Sequence, residues 1–237
     1  MTGYSNFAKF YDFVFGDRLI EAAYVEKLVK QHNPSVKKVL ELGCGTGTFL
    51  KYFFEHSYDV TGIDISAAML AIARQKLPDA NLLRQNMVAF SSLGKYDAIL
   101  CLFDSINHLL NYKDWKKVFL GASLHLNKNG VFIFDINTEK KLEDLVKVGV
   151  ISREFDGNKM FMKITARNRA YNWDIKIVKK EKNSSNVISV KDIQEQSFPL
   201  AKIKASLKKI FKKVVLLNRD ESRPSENSQR VYFVCLN

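Results

Sequence analysis

Three glycines at alternate positions, Gly43, Gly45 and Gly47, are the strongest chemical signal in this 237-residue chain. The apolar run Val39–Leu42 comes directly before them and predicts a buried parallel strand, whereas the residues after them favour a helix. A glycine turn between a strand and a helix N-terminus lets a nucleotide ligand approach the backbone closely. Because Thr48 stands where the dinucleotide fingerprint requires its third glycine, the spacing argues against NAD.

Two acidic residues accompany this turn. Glu41 precedes Gly43 by two positions, and a carboxylate there suits a ligand with an ammonium group better than a pyrophosphate. Asp64 ends the next apolar run, and a carboxylate at a strand tip can accept hydrogen bonds from ribose hydroxyls. The sequence therefore predicts a site for a ligand that carries both an ammonium group and a ribose.

The elements that would position this site alternate along the chain. Strand-like runs lie at 39–42, 58–64, 81–87, 96–103 and 130–135, and helix-like stretches at 48–54, 66–76 and 113–126. Such alternation predicts an α/β fold with a parallel sheet covered by helices.

The two ends of the chain have different patterns. Apolar residues recur at helical spacing through 1–36, and a further helix is predicted at 138–147. Four β-like runs follow near 151–156, 159–166, 171–180 and 187–198, then a helix at 198–207 and two strands at 214–217 and 231–236. We predict four segments: 1–36, 37–137, 138–198 and 199–237.

The chain resembles a class I S-adenosylmethionine-dependent methyltransferase over nearly its whole length. The resemblance depends on Glu41-x-Gly43-x-Gly45-x-Gly47, Asp64, Asn86-Met87, Asp97 and Leu126-x-x-x-Gly130. Residues 4–12 and 101–109 resemble bacterial small-molecule methyltransferases that include nucleotide-linked amino-sugar N,N-dimethyltransferases, with glycine N-methyltransferase-like enzymes as more distant relatives. The resemblance implies a Rossmann-like sheet of seven strands with the last antiparallel, a helical lid over the cofactor at 1–36, and an antiparallel β insert over the substrate at 138–198.

The resemblance also implies S-adenosylmethionine as the cofactor. It assigns cofactor contacts to Glu41, Gly43, Cys44, Gly45, Gly47, Asp64, Ile65, Asn86, Met87, Leu102 and Tyr24. Asp64 would hold the ribose, and Ile65 and Met87 would sandwich the adenine, although Met87 also fits an ordinary core position. Asn86 stands where family members usually carry Asp, and its amide oxygen is a weaker acceptor for the adenine amine than a carboxylate. Tyr24 would reach the cofactor carboxylate.

Tyr11 and His108 are the predicted catalytic and substrate-facing residues, again from the resemblance. His108 is the candidate general base, because histidine alone titrates near neutrality without perturbation. Structural roles, as a packing aromatic and a helix-start histidine, are the alternatives for the two side chains. Asp104 and Arg230 are further predicted substrate contacts. Arg230 would meet an anionic part of the substrate, and an ordinary surface arginine is the alternative. No metal ligands are predicted.

Charge is distributed unevenly along the chain. Residues 1–135 contain 15 Lys and Arg against 13 Asp and Glu, whereas residues 136–237 contain 22 against 12. The basic half, with its cluster at Lys208–Lys213, fits solvated surface lysines, an anionic small-molecule substrate or nucleic acid. The Asn/Asp-Pro-Pro-Tyr/Phe motif of base-methylating enzymes is absent, since 102–105 read Leu-Phe-Asp-Ser. Nucleic acid is therefore the least favoured partner.

The chain has no apolar run of the ~20 residues that a membrane span needs, no signal-peptide layout, and three widely spaced cysteines. We therefore expect a cytoplasmic protein without a membrane partner, and make no prediction of oligomeric state.

The predicted function is methyl transfer to a small molecule, with an amine preferred over a hydroxyl or carbon acceptor. Alignment of the acceptor would be the main task, because proximity alone supplies several kcal/mol. The alternatives are an O- or C-methyltransferase, an RNA or protein methyltransferase that uses the basic half, and a non-catalytic binding module.

Overall fold

The computed structural model describes residues 4–91, 94–181, 184–225 and 227–237. The strands are β1 Lys38–Leu42, β2 Asp59–Asp64, β3 Asn81–Arg84, β4 Tyr96–Cys101, β5 Leu126–Asn137, β6 Val150–Phe155, β7 Asn158–Arg167, β8 Ala170–Glu181, β9 Ser184–Glu195, β10 Lys213–Leu217 and β11 Arg230–Leu236. The helices are α1 Tyr4–Phe15, α2 Leu19–His32, α3 Thr48–Glu55, α4 Ala67–Lys76, α5 Tyr112–His125, α6 Glu139–Val148 and α7 Leu200–Leu207, with a 3-10 turn at Ser105–His108. In these ranges no helix is both long and apolar enough to cross a membrane.

Seven strands form one sheet in the order β3-β2-β1-β4-β5-β11-β10. Five neighbouring strands of the sheet, β3, β2, β1, β4 and β5, are parallel to one another. Strand β11 is antiparallel to both of its neighbours. This topology confirms the predicted α/β fold class, including the antiparallel last strand. The carboxyl ends of β1, β2 and β4 lie at one edge, so the residues that follow these strands meet there.

The sheet is buried on both faces, which explains why its central strands are continuously apolar. Val39 and Leu100 pack with α2, α3 and α4 on one face, and Leu40 and Ile99 pack with α5 and α7 on the other. All four side chains are fully buried.

The insert is a separate antiparallel sheet in the order β6-β7-β8-β9. Its inward face packs with α1 and α6 in a third apolar cluster that contains Phe7, Phe10, Leu142, Met160 and Ile175. The first helix thus joins the insert to the large sheet. The division of the chain into four segments stays a prediction.

Three strands end two or more residues earlier than predicted, two of them at a local turn. β3 stops at Arg84 because the chain turns at Asn86, whose side-chain oxygen accepts from the Val88 amide at 3.0 Å. β4 stops at Cys101, since Phe103 and Asp104 both have a φ of 55°, in the left-handed region. β9 ends at Glu195, three residues before the predicted end.

Gly62 in β2 has no space for a larger side chain. A Cβ there would lie 2.8 Å from both Cys44 Sγ and Leu50 Cδ2, and 2.9 Å from Leu82 Cδ2. We expect Gly62→Ala to lower the free energy of unfolding by about 1–3 kcal/mol through overpacking, measured by denaturant unfolding. Gly157→Ala is the control, because a Cβ there meets nothing within 4 Å and only its φ of 69° opposes the change. Equal losses in both variants would contradict the steric explanation.

Candidate active site

The glycine turn follows β1 and is fastened to β2. The amides of Gly43 and Cys44 both donate to the Ile63 carbonyl, at 2.8 and 3.0 Å. Gly43 has a φ of 72°, and a Cβ on it would lie 2.9 Å from Met87 Cε and 3.1 Å from Ser105. The turn therefore needs glycine for its backbone conformation and for the open space in front of it.

Asp64 is held against this turn by two backbone amides. Its Oδ2 accepts from Gly45 N at 2.9 Å and its Oδ1 from Ser66 N at 2.7 Å. Burial raises the pKa of Asp64 although both hydrogen bonds favour the charged form. The carboxylate is thus fixed in orientation at the strand tip where the sequence predicts a ribose ligand.

Glu41 is buried beneath the turn, with 2% of its surface exposed. Its Oε2 has no hydrogen-bond partner among the described residues. Burial, and next the nearby Asp64, raise the pKa of Glu41 well above its ordinary value. A small cavity of about 30 Å³ adjoins it, and Cys44 and Leu102 also line this cavity.

Arg18 lines the same small cavity and is a residue that the sequence reasoning missed. Its Nε is buried without a partner in the described chain, and its guanidinium lies 4.0 Å from the Phe103 ring centroid. A Glu41 oxygen and an Arg18 nitrogen that both lack described partners, beside one cavity, fit the ammonium and carboxylate of an amino-acid group. Only the positive charge of Arg18 in the predicted lid could have suggested this role.

A cavity of about 330 Å³ lies in front of the turn, and most of the predicted cofactor contacts line it. We call it the cofactor cavity. Its lining includes Gly43, Gly45, Asp64, Ile65, Asn86 and Met87. The side chain of Ile65 is half exposed there, so it offers an apolar surface on which a flat ring could pack. The Asn86 amide oxygen accepts from Val88 N, so one of its two lone pairs remains for a ligand.

Two predicted cofactor contacts lie elsewhere. Gly47 lines neither cavity; it precedes α3, and a Cβ on it would lie 3.1 Å from Ala73 Cβ. Tyr24 donates its hydroxyl to the Asn218 carbonyl at 3.2 Å and packs edge-on against Tyr232. The structure therefore does not bring Tyr24 to the site, whereas Arg18, between α1 and α2, lines the small cavity.

Helix α1 covers the turn through one aspartate. Asp12 accepts from the hydroxyls of Thr46 and Thr48 at 2.6 and 3.0 Å, and its carboxylate pairs with Lys76 at 2.6 Å. These contacts place Tyr11, one residue earlier, in the lining of all three cavities described in this section. Burial raises the pKa of Tyr11 far above its usual range, so its hydroxyl stays neutral.

His108 has both ring nitrogens engaged. Its Nδ1 lies 2.8 Å from the Gln194 carbonyl and its Nε2 lies 2.8 Å from the Tyr4 hydroxyl. Since a carbonyl can only accept, we assign the proton to Nδ1, and Nε2 then accepts from Tyr4. The predicted general base is therefore linked to Tyr4, a second residue that sequence reasoning did not single out.

Arg230 corrects one prediction. Its guanidinium pairs with the carboxylates of Asp104 and Asp135 and donates to Asn137 Oδ1 at 2.9 Å. Asp135 also accepts from the backbone amides of Phe103 and Asp104, at 2.6 and 3.2 Å. Because two carboxylates neutralise it, Arg230 is not a free cation for a substrate anion; the three charges instead hold the loop after β4.

A second cavity, which we call the acceptor cavity, has a volume of about 280 Å³ and lies between α1, α6 and the insert. It shares four lining residues with the cofactor cavity: Tyr4, Tyr11, Phe103 and Ile193. Asp104 and Arg230 lie on its lining, whereas His108 lies on the cofactor side. Two spaces that meet at a shared aromatic boundary can hold two reacting molecules side by side.

Glu195, at the end of β9, is a third residue that the sequence reasoning missed. It is 2% exposed, lines the acceptor cavity, and accepts from Asn137 Nδ2 at 2.9 Å. One ligand atom each of Glu195, Asp104 and His108 lie within 4.8 Å of one another. Protein partners already engage all three groups, and the expectation of no metal stays a prediction.

Glu195 provides a test by pH. Burial, and then Asp104, raise the pKa of Glu195 well above 4.5. A raised folded-state pKa favours the protonated form, so its stabilisation is complete below the unfolded pKa and is lost as the pH rises through the folded pKa. We expect Glu195→Gln to melt higher than the wild type near pH 8 and to match it near pH 4. A difference independent of pH would contradict this account.

Comparison with known proteins shows which proteins this chain resembles. Residues 39–130 match a family model described as a methyltransferase domain. A dTDP-3-amino-3,6-dideoxy-alpha-D-glucopyranose N,N-dimethyltransferase from Streptomyces fradiae is 35% identical over 115 residues, 48% of this chain and 45% of that protein. A glycine/sarcosine N-methyltransferase from Halorhodospira halochloris is 34% identical over 118 residues, 47% of this chain and 43% of that one. The chain spans about half the length of the curated relatives it matches.

The fold extends over the whole chain. A crystal structure of an S-adenosylmethionine-dependent methyltransferase from Clostridium acetobutylicum has a TM-score of 0.82 at 22% identity and covers 98% of both chains. The likeness confirms the predicted Rossmann-like fold, and residues 39–130 match the methyltransferase domain. The predicted transfer of a methyl group from S-adenosylmethionine stays a prediction.

Proposed function

We propose that this protein transfers a methyl group from S-adenosylmethionine to the amine of a small molecule. The observation that carries the proposal is the meeting of the cofactor and acceptor cavities at Tyr4, Tyr11, Phe103 and Ile193. An acceptor in one space would then face the methyl donor in the other, and orientation is the main requirement for a displacement of this kind.

The cofactor would be held by groups that fit each of its parts. Glu41 and Arg18 would take its ammonium and carboxylate, Asp64 its ribose, and Ile65 and Met87 its adenine. When bound, it supplies a methyl carbon on a positively charged sulfur, which keeps the C–S electron pair while a nitrogen lone pair forms the new C–N bond. The protein's task is to align the acceptor and exclude water.

Three features support an amine as the acceptor. Asp104 and Glu195 place carboxylates beside the His108 ring, and a carboxylate can receive the proton that the nitrogen loses. The two relatives described above are both named as N-methyltransferases, one of an amino sugar and one of glycine and sarcosine. Tyr4 donates to His108 and retains an oxygen lone pair that can orient an N–H group of the acceptor.

The first test is thermal melting with S-adenosylhomocysteine, with NAD as the control ligand. At about 100 times the dissociation constant, binding stabilises by about 2.7 kcal/mol, a rise of roughly 5–10 °C for a chain of this size. A rise with the thioether alone supports the proposal, and methyl-labelled S-adenosylmethionine then reports transfer to a panel of amines. No rise with S-adenosylhomocysteine would contradict the proposal.

The Lys208–Lys213 cluster gives no support at the site to an RNA acceptor. Of the described residues that line the two cavities, none belongs to the Lys208–Lys213 cluster. Added RNA should therefore leave the melting temperature unchanged at low salt, where binding that depends on phosphate contacts would be strongest.

A further inference from the structure

The cations on the acceptor cavity differ in whether they have partners. Arg230 is neutralised by two aspartates, and Arg153 donates to the Val14 carbonyl at 2.9 Å. None of the hydrogen bonds or ion pairs of the described residues includes the ammonium of Lys141, although this side chain lies on the same lining. Arg18 also lines this cavity without a described partner, but it is the residue assigned above to the cofactor carboxylate. Lys141 is thus the remaining cation of this cavity for which no hydrogen-bond or ion-pair partner is described.

The position of Lys141 makes this lack of a partner costly. Lys141 lies in the first turn of α6, and burial lowers the pKa of its ammonium. It also lines a neighbouring cavity of about 230 Å³, together with Arg18 and Arg230. A charge withdrawn from water without a partner destabilises the folded state, and an anionic group next to it would remove that penalty.

The other lining residues indicate the chemical character of the rest of the ligand. Glu195 supplies a buried carboxylate, and the wall is otherwise largely apolar, with Phe7, Met160, Met162 and Ile175. The indole Nε1 of Trp173 is buried on this wall without a described hydrogen-bond partner. Lys141 as the cation that is not assigned to the cofactor, Glu195 as the carboxylate that is not paired with Arg230, and the apolar wall together describe a small molecule that has both charges on a hydrophobic body.

We propose that the methyl acceptor is a compact apolar amine that also carries an anionic group, a carboxylate or a phosphate-like group. The amine lies at Glu195 and the anionic group at Lys141. This inference rests on the proposed function, because it assigns the acceptor of the same site. It replaces Arg230 with Lys141 as the residue that recognises the anion.

The test uses the full chain saturated with S-adenosylhomocysteine and isothermal titration calorimetry with matched probes. L-Phenylalanine is the carboxylate probe, its phosphonate analogue is the phosphate-like probe, and 2-phenylethylamine lacks the anionic group. We expect at least one acidic probe to bind the wild type about tenfold or more tighter than 2-phenylethylamine, since a hydrogen bond to a charged group is worth that much. The acidic probe that binds tighter identifies the anionic group.

Lys141→Met should abolish this preference, whereas Lys147→Met, which changes an exposed lysine of the same helix, should retain it. Affinity for S-adenosylhomocysteine should stay within about twofold in both variants. No preference in the wild type, or a preference that survives in Lys141→Met, would overturn the inference. Failure of S-adenosylhomocysteine to bind in the first titration would instead overturn the proposed function, so the two failures are distinguishable.

A melting experiment tests the same point without any acceptor. Because Lys141→Met removes a half-buried charge that has no described partner, the ligand-free variant should melt at a higher temperature than the wild type. Lys147→Met should leave the melting temperature unchanged. A lower melting temperature for Lys141→Met would show that the ammonium is already compensated, which would overturn the inference.

Discussion

Glu41→Gln is expected to raise the melting temperature of the ligand-free protein and to weaken S-adenosylhomocysteine binding by about tenfold to a hundredfold. The two effects have one cause, the buried Oε2 of Glu41 that has no partner in the described chain. Without a ligand, a charge at this atom is uncompensated, and an amide costs less to bury. With a ligand, the lost contact is a charge-assisted hydrogen bond to its ammonium, worth about 1.5–3 kcal/mol.

The pH dependence follows from the direction of the pKa shift. Burial, and next Asp64, raise the pKa of Glu41 well above 4.5. The stability that the protonated group contributes is complete below the unfolded pKa and is lost as the pH rises through the folded pKa. The advantage of Glu41→Gln in ligand-free melting should therefore grow from pH 5 to pH 8. Affinity of the wild type for S-adenosylhomocysteine should rise over the same pH range. For Glu41→Gln, calorimetry should show an affinity that does not change with pH.

Glu26→Gln is the matched control. Glu26 is also buried, but its carboxylate pairs with Lys30 at 2.7 Å and accepts from the hydroxyls of Tyr52 and Tyr58 at 2.9 and 2.8 Å. Hydrogen bonds from these three partners hold the pKa of Glu26 below its usual value despite the opposing effect of burial. Glu26→Gln should therefore destabilise the protein at neutral pH and leave ligand affinity unchanged. Unchanged affinity in Glu41→Gln would contradict the assigned role.

The cofactor side of the site could be predicted from the sequence because its parts are local. A strand, a glycine turn and a helix start follow one another within Val39–Thr48, and Asp64 ends the adjacent strand of a parallel pair. Parallel strands bring their carboxyl ends to one edge, so the order of the elements places Asp64 near the turn. The structure then adds what local patterns do not contain, such as the two amides that orient the Asp64 carboxylate.

The acceptor side could not be predicted in the same way, since its contacts join distant segments. Arg230 meets its two aspartates across 126 and 95 positions of sequence, so the sequence could not tell a paired cation from a free one. Glu195 and Lys141 lie in the insert and in the helix before it, where no motif identifies them. Tyr24 was misplaced for a similar reason, because its partner Asn218 lies 194 positions away.

Arg230→Met is expected to be the most destabilising substitution considered for this protein, at about 3–5 kcal/mol, the cost of breaking a buried ion pair from one side. For a chain of this size the melting temperature should fall by roughly 6–20 °C. The loss arises because Asp104 and Asp135, 7% and 1% exposed, would remain buried without their cation. Methionine preserves much of the side-chain volume, so the measurement isolates the charge.

Arg219→Met is the control, because Arg219 forms an exposed pair with Glu21 at 3.0 Å, and such pairs contribute about 0–1 kcal/mol. Arg230→Lys should restore little of the stability lost in Arg230→Met. One ammonium cannot reproduce the forked guanidinium that reaches both carboxylates and Asn137. Without the guanidinium the pKa of Asp135, already raised by burial, should rise further. Protonation then relieves the unpaired charge, so the deficit of Arg230→Met should shrink from pH 8 to pH 5. A deficit below about 1 kcal/mol at pH 8 would mean that the two aspartates are stabilised independently of Arg230.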